Sequence, residues 1–577
     1  MNMDGFLLKS LATDLARILV DQRIDKVHQP TSGHLTIHVG KRRLSINVAP
    51  HETYMVLDGP KLANPLSPPF FCLMLRKHLT NSRIVKVQMP DFERIVELTC
   101  SGRDELGESA EVTLIVELTG RHSNVLLVNE AGLIIDALRR VPLGDGVRPI
   151  FPGLKYERPP EQGKLSPVTL SAEALLTLSA TASVRLPEFL SANVQGLSML
   201  LAREISFLLA PDENTVAVAI ETWEAISAFI RSLAQRAESG EITSLYLSGE
   251  GPKRHLHIVP LSHLGAHSVV AGVNDALSAA LCSQESGRLE AQLGRKLGQI
   301  ISAKTRKAQK LMKALQEDLS ITDNKNDHKR FGELLYANLG TFRLEGDMAV
   351  VTDYYDENLA SVLVPVDPNR SMAENARRYF RQYEKAVGKE KYALNRLEET
   401  QMYLSYLAGL QSAVAQADDI HSLREIEQEM DEQGLITNGR NRSVKKVDTK
   451  HRQSGQARPR EFISPDGVRI LVGRNNLQNE RLVKGAKPDD LWFHVQKAPG
   501  SHCIVEARSP MPDTTIEFAA TLAAYFSSAR DSTLVPVDYT EKKHLRRPPG
   551  AKPGYVTYER HRTVVINMAQ VILPDIQ

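Results

Sequence analysis

The chain has 577 residues, of which 42% are hydrophobic and 24% charged, with a formal net charge of +2. That length exceeds what one core can serve and predicts roughly three to five domains of a soluble globular protein. No apolar run approaches the ~20 residues needed to span a bilayer, and the four cysteines (Cys72, Cys100, Cys282, Cys503) are scattered without Cys-x-x-Cys spacing, which argues against a disulfide framework or a zinc ribbon. The small net charge hides an asymmetry: Arg440–Gln577 carries 23 Lys/Arg against 14 Asp/Glu, leaving the rest of the chain at −7. A basic C-terminal part fits a polyanionic partner, with solvated surface charge as the competing reading.

At the start, Leu7, Leu11, Leu15 and Ile18 recur at helical spacing and Asp4 stands where a cap belongs. The segment lacks a basic region, apolar stretch and small-residue cleavage site, so a cytoplasmic protein is expected. "HLTIHVGKRRLSINV" alternates through Leu35, Ile37 and Val39, turns at Gly40, and alternates again through Leu44, Ile46 and Val48. That pattern predicts a hairpin with one buried face. The meander is expected to continue to about residue 165, with a short helix at "PPFFCLMLRKHL" and a structure-breaking boundary at "FPGLKYERPPEQGK".

Residues 166–240 read as helical, with a Gly-Leu-Ser bend in "VQGLSMLLAREI" that could aim backbone N–H groups at a phosphate, as helix-hairpin-helix modules do. Residues 241–283 form an uninformative connector. From Gln284, apolar residues at Leu289, Leu293, Leu297, Ile300, Ala308, Leu311, Leu315 and Leu319 match a coiled-coil seam. From Met372 to about Glu432 a second series runs through Tyr379, Tyr383, Ala386, Leu394, Leu397, Leu404 and Leu407. Two antiparallel helices with a small β tip (about 320–371) therefore make an arm over 284–437, the first helix reaching roughly 50 Å at 1.5 Å per residue. Residues 438–460 hold eight basic residues and almost nothing apolar, the composition of a flexible basic linker. Beyond it, 461–577 reads as an α+β domain with strands at "VRILVGRNN" and "LWFHV", a helix at "TIEFAATLAAYFSSA" and a closing hairpin at "YVTYERHRTVVIN".

Chemically able residues concentrate in two places. In "DDLWFHVQKAPGSH", Asp490, Trp492 and His494 alternate and would share one face of a strand, with His502 close by. A carboxylate, an indole and an imidazole on one face can grip phosphate or ribose and stack a base. A metal site and a core tryptophan beside a surface histidine compete with that reading. In the N-terminal part, "DFERIVEL" carries Glu93-Arg94, and "ELTGRHSN" carries Glu117, Arg121, His122, Ser123 and Asn124, the last four at a turn. The bland alternative there is a Glu117–Arg121 ion pair finishing a hairpin. No nucleophile elbow, Walker loop or dinucleotide fingerprint occurs, so neither a nucleotide hydrolase nor a nucleophilic enzyme is expected.

In order along the chain, "PPFFCLMLRKHL", "DFERIVEL", "VELTGRHSNVLLV", "GLSMLLAREI", "VPVDPNRSMAENARRYFRQYEKA", "VGRNNLQNERL" and "DDLWFHVQKAPGSH" resemble the NFACT family over essentially the whole sequence. The resemblance implies a ribosome-associated factor that binds a large ribosomal subunit still holding peptidyl-tRNA. It would recruit alanyl-tRNA for untemplated alanine tailing, with peptide transfer left to the ribosome and no cofactor of its own. The family's Asp-Arg pair falls on Glu93-Arg94, a departure that lengthens the acidic side chain by one methylene. Glu117, Arg121 and His122, with Ser123 and Asn124, match the tRNA-contacting motif. Asp490, Trp492, His494 and His502, with Arg474 and Asn475, match the RNA-contacting block of the C-terminal domain. Arg and Lys neutralise phosphate while Trp and His planes stack bases, so the residue types suit RNA. The N-terminal domain also resembles the α/β sandwich of formamidopyrimidine-type DNA glycosylases, but neither the early proline nor the zinc-finger cysteines of those enzymes are present. The expected fold class is α+β multidomain, a glycosylase-like sandwich followed by helix-hairpin-helix-like helices, a coiled-coil arm and a C-terminal α+β domain. A fibronectin-binding surface adhesin and a nucleic-acid-processing enzyme are the competing functions; no signal peptide or membrane anchor supports the first.

Overall fold

In the computed structural model, which describes residues 3–50, 52–103, 108–144, 148–210, 216–251, 254–321, 324–436 and 458–571, Asp4 caps the first helix as its position predicts. Its Oδ1 accepts the Leu7 N–H at 2.9 Å, at the start of α1 (Gly5–Leu19). The chain divides into two compact units, Met1–Gly287 and Arg288–Gln577.

In the first unit, β1 (Ile24–Thr31), β2 (His34–Val39), β3 (Arg42–Ala49) and β4 (Glu52–Leu57) form an antiparallel meander. The predicted hairpin is β2–β3, with Leu35 opposite Ile46 and Ile37 opposite Leu44, all four buried. Gly40 has a φ of +56°, which its turn requires. Helix α2 (Phe70–Leu79) leads into a second meander, β5 (Arg83–Gln88), β6 (Ile95–Arg103), β7 (Ser109–Glu117), β8 (Asn124–Asn129) and β9 (Ile134–Ala137). Both sheets, α1 and α2 contribute to one apolar core. Helices α3 (Ala172–Ser179), α4 (Leu186–Asn193), α5 (Met199–Leu209) and α6 (Ile220–Ser239) extend that core, with Trp223 fully buried in it. The segment without a sequence signal folds into a three-stranded sheet of β10 (Ser244–Ser248), β11 (His255–His257) and β12 (His267–Ala271), ordered β11-β10-β12. Helix α7 (Val273–Ile321) then starts about a dozen residues before the expected Gln284. Val273, Ala276, Leu277 and Leu281 are buried in the first core and extend the apolar pattern backwards.

In the second unit, the tip includes a helix the alternation did not reveal, α8 (Lys325–Ala337), besides the sheet of β13 (Arg343–Glu345), β14 (Met348–Thr352) and β15 (Ser361–Pro365). Leu334 and Leu335 of α8 pack with Val351, Val364 and Tyr379 in a small core. Helix α9 (Met372–Gln416) opens with a capping box of Ser371 and Glu374. The second long series is broken where α9 ends, and α10 (Ile420–Glu432) restarts with Asp419 as its cap. Leu297 and Ile301 cluster with Leu407 and Leu410 of α9 and Ile426 and Met430 of α10. Leu394, expected on the seam, is instead about half exposed, and Ala393 takes the buried position.

The C-terminal part holds β16 (Arg460–Ile463), β17 (Arg469–Val472), α11 (Asn476–Gly485), β18 (Leu491–Val495), β19 (Cys503–Val505), α12 (Asp513–Tyr525), β20 (Leu534–Glu541), β21 (Leu545–Arg546), β22 (Thr557–Tyr558) and β23 (Arg562–Asn567). Six strands form one sheet, ordered β16-β17-β19-β18-β20-β23, with the alanine-rich α12 packed against it. The expected closing hairpin does not exist as such, because β22 pairs with β21 and β23 with β20. Of the predicted basic linker, residues 438–457 lie outside the described residues. Among the described residues no helix is long and apolar enough to cross a membrane. The architecture is a mixed α/β multidomain one with long helices.

Candidate functional site

The two N-terminal motifs, 23 residues apart in sequence, meet at one end of the second sheet. Ile95 is the register partner of Glu117, and the Leu118 N–H donates to the Arg94 carbonyl at 2.7 Å. The loop before β6 is fixed by close backbone contact. The Gly5 N–H donates to the Gly196 carbonyl at 2.9 Å, and a Cβ added to Gly196 (φ +75°) would lie 2.7 Å from the Phe92 carbonyl oxygen. Only glycine permits that junction of the α1 start, the bend before α5 and the Phe92 backbone. Asp4 ties it together, its Oδ2 accepting from Ser198 Oγ at 2.7 Å and contacting His257 Nε2 at 3.0 Å. Ser198 in turn caps α5 by accepting the Leu201 N–H. Burial pushes the Asp4 carboxyl up, but the charge of His257 and the bonds from His257, Leu7 and Ser198 outweigh it and hold the group below its ordinary range.

Glu93 and Arg94 stand beside this junction, both half-buried. The Glu93 Oε1 accepts from Gln195 Nε2 at 3.3 Å, and burial raises its carboxyl despite the nearby positive charge of Arg158. The Arg94 guanidinium has no hydrogen-bond partner among the described residues, and burial lowers its pKa against the pull of Asp4. An arginine held this way is a preformed donor fork for an anionic or carbonyl-bearing ligand.

The cluster at Glu117–Asn124 divides in two. Glu117 is buried, and Arg148 Nη2 donates to both its carboxylate oxygens at 2.7 and 2.8 Å while Tyr156 Oη donates at 3.0 Å. The Glu117–Arg121 pair considered from sequence is therefore replaced by Glu117–Arg148. A carboxylate on a β-strand facing the interior cannot reach a turn residue on the outside. Ser123 and Asn124 are also buried; Asn124 Nδ2 donates to the Arg139 carbonyl at 2.8 Å and its Oδ1 accepts the Arg139 N–H at 2.9 Å. These two hold the hairpin. Arg121 and His122, in the 3-10 turn Gly120–His122, are exposed. The segment read as a boundary, "FPGLKYERPPEQGK", supplies Tyr156 to Glu117 and Arg158 to Glu97 (3.1 Å). Pairing between Glu117 and residues some 30 to 40 positions later leaves no local signal in sequence, so neither Arg148 nor Tyr156 was found there.

In the C-terminal domain, Trp492 and His494 do share a face of β18, with ring centroids 5.7 Å apart and planes within 7°. His502 meets the indole edge-on at 5.3 Å, and Tyr558 lies tilted against it at 4.9 Å. Trp492 is only 1% exposed, and its Nε1 and the Nδ1 of His502 are buried without partners. Burial lowers His494, opposed by hydrogen bonds with the backbone and the charge of Asp538; burial and the His494 charge hold His502 well below its ordinary value. Burial thus favours the neutral form of both rings, which suits them to offer planes and hydrogen bonds rather than charge. The four rings line a cleft of about 640 Å³ that α9 closes with Met402, Tyr403 and Tyr406. Lys497, exposed, and Lys552 also line it.

Three expected contacts at this end are engaged elsewhere. Both Asp490 oxygens accept backbone N–H groups, from Lys487 at 2.7 Å and Ala507 at 2.9 Å, so the carboxylate shapes the loop. Arg474 pairs with Asp418 and Asp419 before α10. Asn475 caps α11 and donates to Glu425 of α10 at 2.8 Å. Arg474 and Asn475 thus latch the domain onto α10 and the loop before it, a role that spacing in sequence does not encode. Among the described residues no group of three or more His, Cys, Asp or Glu is arranged to hold a metal ion.

A multidomain chain with an arginine lacking a side-chain partner among the described residues and an aromatic, lysine-edged cleft in a second domain has the features of a polynucleotide-binding protein. Residues 4–449 match the NFACT N-terminal and middle domains and residues 458–559 the NFACT protein RNA binding domain, so the chain belongs to the NFACT family. It is 31% identical over 578 residues to the Rqc2 homolog RqcH of Bacillus subtilis, covering 98% of both chains. To the Rqc2 homolog RqcH of Streptococcus pneumoniae serotype 2 it is 30% identical over 573 residues, covering 98% of this chain and 97% of that one. Among solved structures, the C-terminal part of the fibronectin/fibrinogen-binding protein of Streptococcus suis aligns with 30% identity and a TM-score of 0.37, covering 48% of this chain and 94% of that one.

Proposed function

We propose that this protein is a ribosome quality-control factor that acts in the cytoplasm as a non-catalytic RNA-binding adaptor. It binds large ribosomal subunits that still carry peptidyl-tRNA and recruits a second tRNA, alanyl-tRNA, for untemplated alanine tailing of the stalled chain. Peptide transfer belongs to the ribosome. The observation that carries this reading is similarity to RqcH proteins along 98% of the chain, joined to an RNA-binding domain. In it, Arg94, Arg121 and His122 contact tRNA directly, while Glu93, Glu117, Ser123 and Asn124 position them. Trp492, His494 and His502 line an RNA cleft that Asp490, Arg474 and Asn475 hold in place. The modules divide as a glycosylase-like N-terminal sandwich, helix-hairpin-helix-like helices, a coiled-coil arm and the RNA-binding domain.

Crosslinking the protein to RNA in cells and sequencing what is bound tests the reading. Enrichment of tRNA and large-subunit ribosomal RNA is expected; a profile no different from that of an unrelated basic protein sinks it.

A further inference from the structure

One face of the first sheet carries a row of cationic side chains that neither motif uses. Lys26 on β1 is the register partner of His38 on β2, and His38 in turn of Arg43 on β3, so the three lie side by side across the strands. His28, two residues after Lys26, shares that face, and its ring centroid lies 5.4 Å from that of His38 in an edge-to-face contact. Arg76, from α2, brings its Nη2 to 3.3 Å from His28 Nδ1. Lys26 is exposed and the other four are partly so.

Like charges set directly opposite one another on a sheet destabilise it. Arg42 is paired with Asp58 and Asp275, whereas among the described residues none of these five makes an ion pair with a carboxylate. Asp25 acts on His38 from a distance, but its Oδ2 accepts the Gly40 N–H at 3.0 Å. A guanidinium only donates, so His28 Nδ1 accepts from Arg76, which the neutral ring alone can do. Burial, then the charges of Arg76, His38 and Lys26, lower His28; burial, then Arg43 and Lys26, lower His38 against the pull of Asp25. A partly exposed set of cations without counter-charge is what a polyanion neutralises.

We infer that Lys26, His28, His38, Arg43 and Arg76 form a further RNA-contacting surface, one that takes the phosphate backbone and reads no base. The site rests on the RNA-binding reading and adds a third contact to it. Phosphate supplies the counter-charge the row lacks, with lysine as a point charge and the arginines as donor forks. Such contacts position an RNA without reading its sequence. Phosphate beside His28 and His38 also favours their protonated forms, so binding takes up protons and strengthens as pH falls.

The test uses the full chain and unfractionated tRNA. Lys26→Ala, at an exposed position, should leave the melting temperature nearly unchanged and lower the slope of log affinity against log salt by about 1. His28→Gln combined with His38→Gln should remove part of the tightening seen as pH falls from about 8 to about 6. That tightening reaches about 10-fold for an imidazole whose basicity phosphate raises about 10-fold. Should the histidine variant fail to fold, Lys26→Glu decides with Lys26→Ala, since reversing the charge should weaken binding at low salt further than removing it. A salt slope unchanged by Lys26→Ala, or a pH dependence identical in the parent and the folded histidine variant, overturns the inference. Weakened heparin binding with tRNA binding intact would assign the row to a sulfated polysaccharide and also overturn it. A parent protein that binds no tRNA at low salt removes the RNA reading itself, whereas parent binding matched by every variant removes only this surface.

Discussion

Arg148 Nη2 donates to both carboxylate oxygens of Glu117, at 2.7 and 2.8 Å, in a place where Glu117 is 1% exposed. The pair anchors the inner side of the same turn whose outer side carries Arg121 and His122. Buried and exposed residues are therefore interleaved within one short motif, and substitutions should separate them.

Glu117→Ala leaves the Arg148 charge buried without its partner, and loss of about 3 kcal/mol of stability is expected. Arg121→Ala should change stability by less than about 0.5 kcal/mol, as exposed substitutions do. Thermal melts of both variants check the contrast; a Glu117→Ala protein as stable as the parent would mean the ion pair does not hold the turn.

Arg94→Ala and Arg121→Ala should weaken tRNA binding and reduce its dependence on salt. Each phosphate contact removed lowers the slope of log affinity against log salt by about 1. Binding measured from low to moderate ionic strength gives the slope directly. An unchanged slope in the double variant takes both residues out of the phosphate-contacting set.

Trp492 is too deeply packed to be probed by truncation. Trp492→Ala should destabilise the C-terminal domain by about 3 kcal/mol or more, a core effect. The informative variant is Trp223→Phe, which leaves Trp492 as the sole tryptophan. Its fluorescence should change on adding RNA, and Lys497→Ala, at an exposed position, should weaken the titration without moving the melting temperature. A Trp492 signal indifferent to saturating RNA would show that the cleft is not where RNA sits.

Glu429 on α10 makes the junction with the C-terminal domain sensitive to pH. Burial raises its carboxyl to about 7, although Asn476 and Tyr406 donate to its Oε1, both at 2.9 Å. A folded-state value above the unfolded one means that the folded protein binds the proton more tightly. The stability contribution is complete below the ordinary glutamate value, declines as pH rises, and is gone above about 7. Melts between pH 5 and pH 8 should show that decline, on the order of 1–3 kcal/mol, and Glu429→Gln should flatten it. A parent protein with the same slope as Glu429→Gln would place the titration elsewhere.

Much of the fold could be read locally. The alternation at Leu35–Val39 and Leu44–Val48 determines a buried hairpin face, and the spacing of Leu7, Leu11 and Leu15 determines a helix, because the period of apolar residues is set by backbone geometry alone. The break between α9 and α10 was harder to see, since the apolar series continues across it and only the cap at Asp419 marks the restart. The start of α7 was missed because Val273–Leu281 packs into a core formed by distant segments. At the sites, residue type pointed to RNA but not to exposure: Arg474 and Asn475 read as contacts and proved to be bonded to Asp418 and Glu425.

The order of motifs along the chain was enough to define the family, the chemical character of each site and the periodic elements, since these depend on side-chain identity and local geometry. Which carboxylates are spent inside was decided only in three dimensions. Glu117, Asp490 and Glu429 are distinguished by nothing in the sequence from carboxylates that stay exposed. Their partners arrive from 31 residues away in Arg148, from the Ala507 backbone and from Asn476. Burial and hydrogen-bond satisfaction are properties of packed surfaces, and they are settled when segments far apart in sequence close over one another.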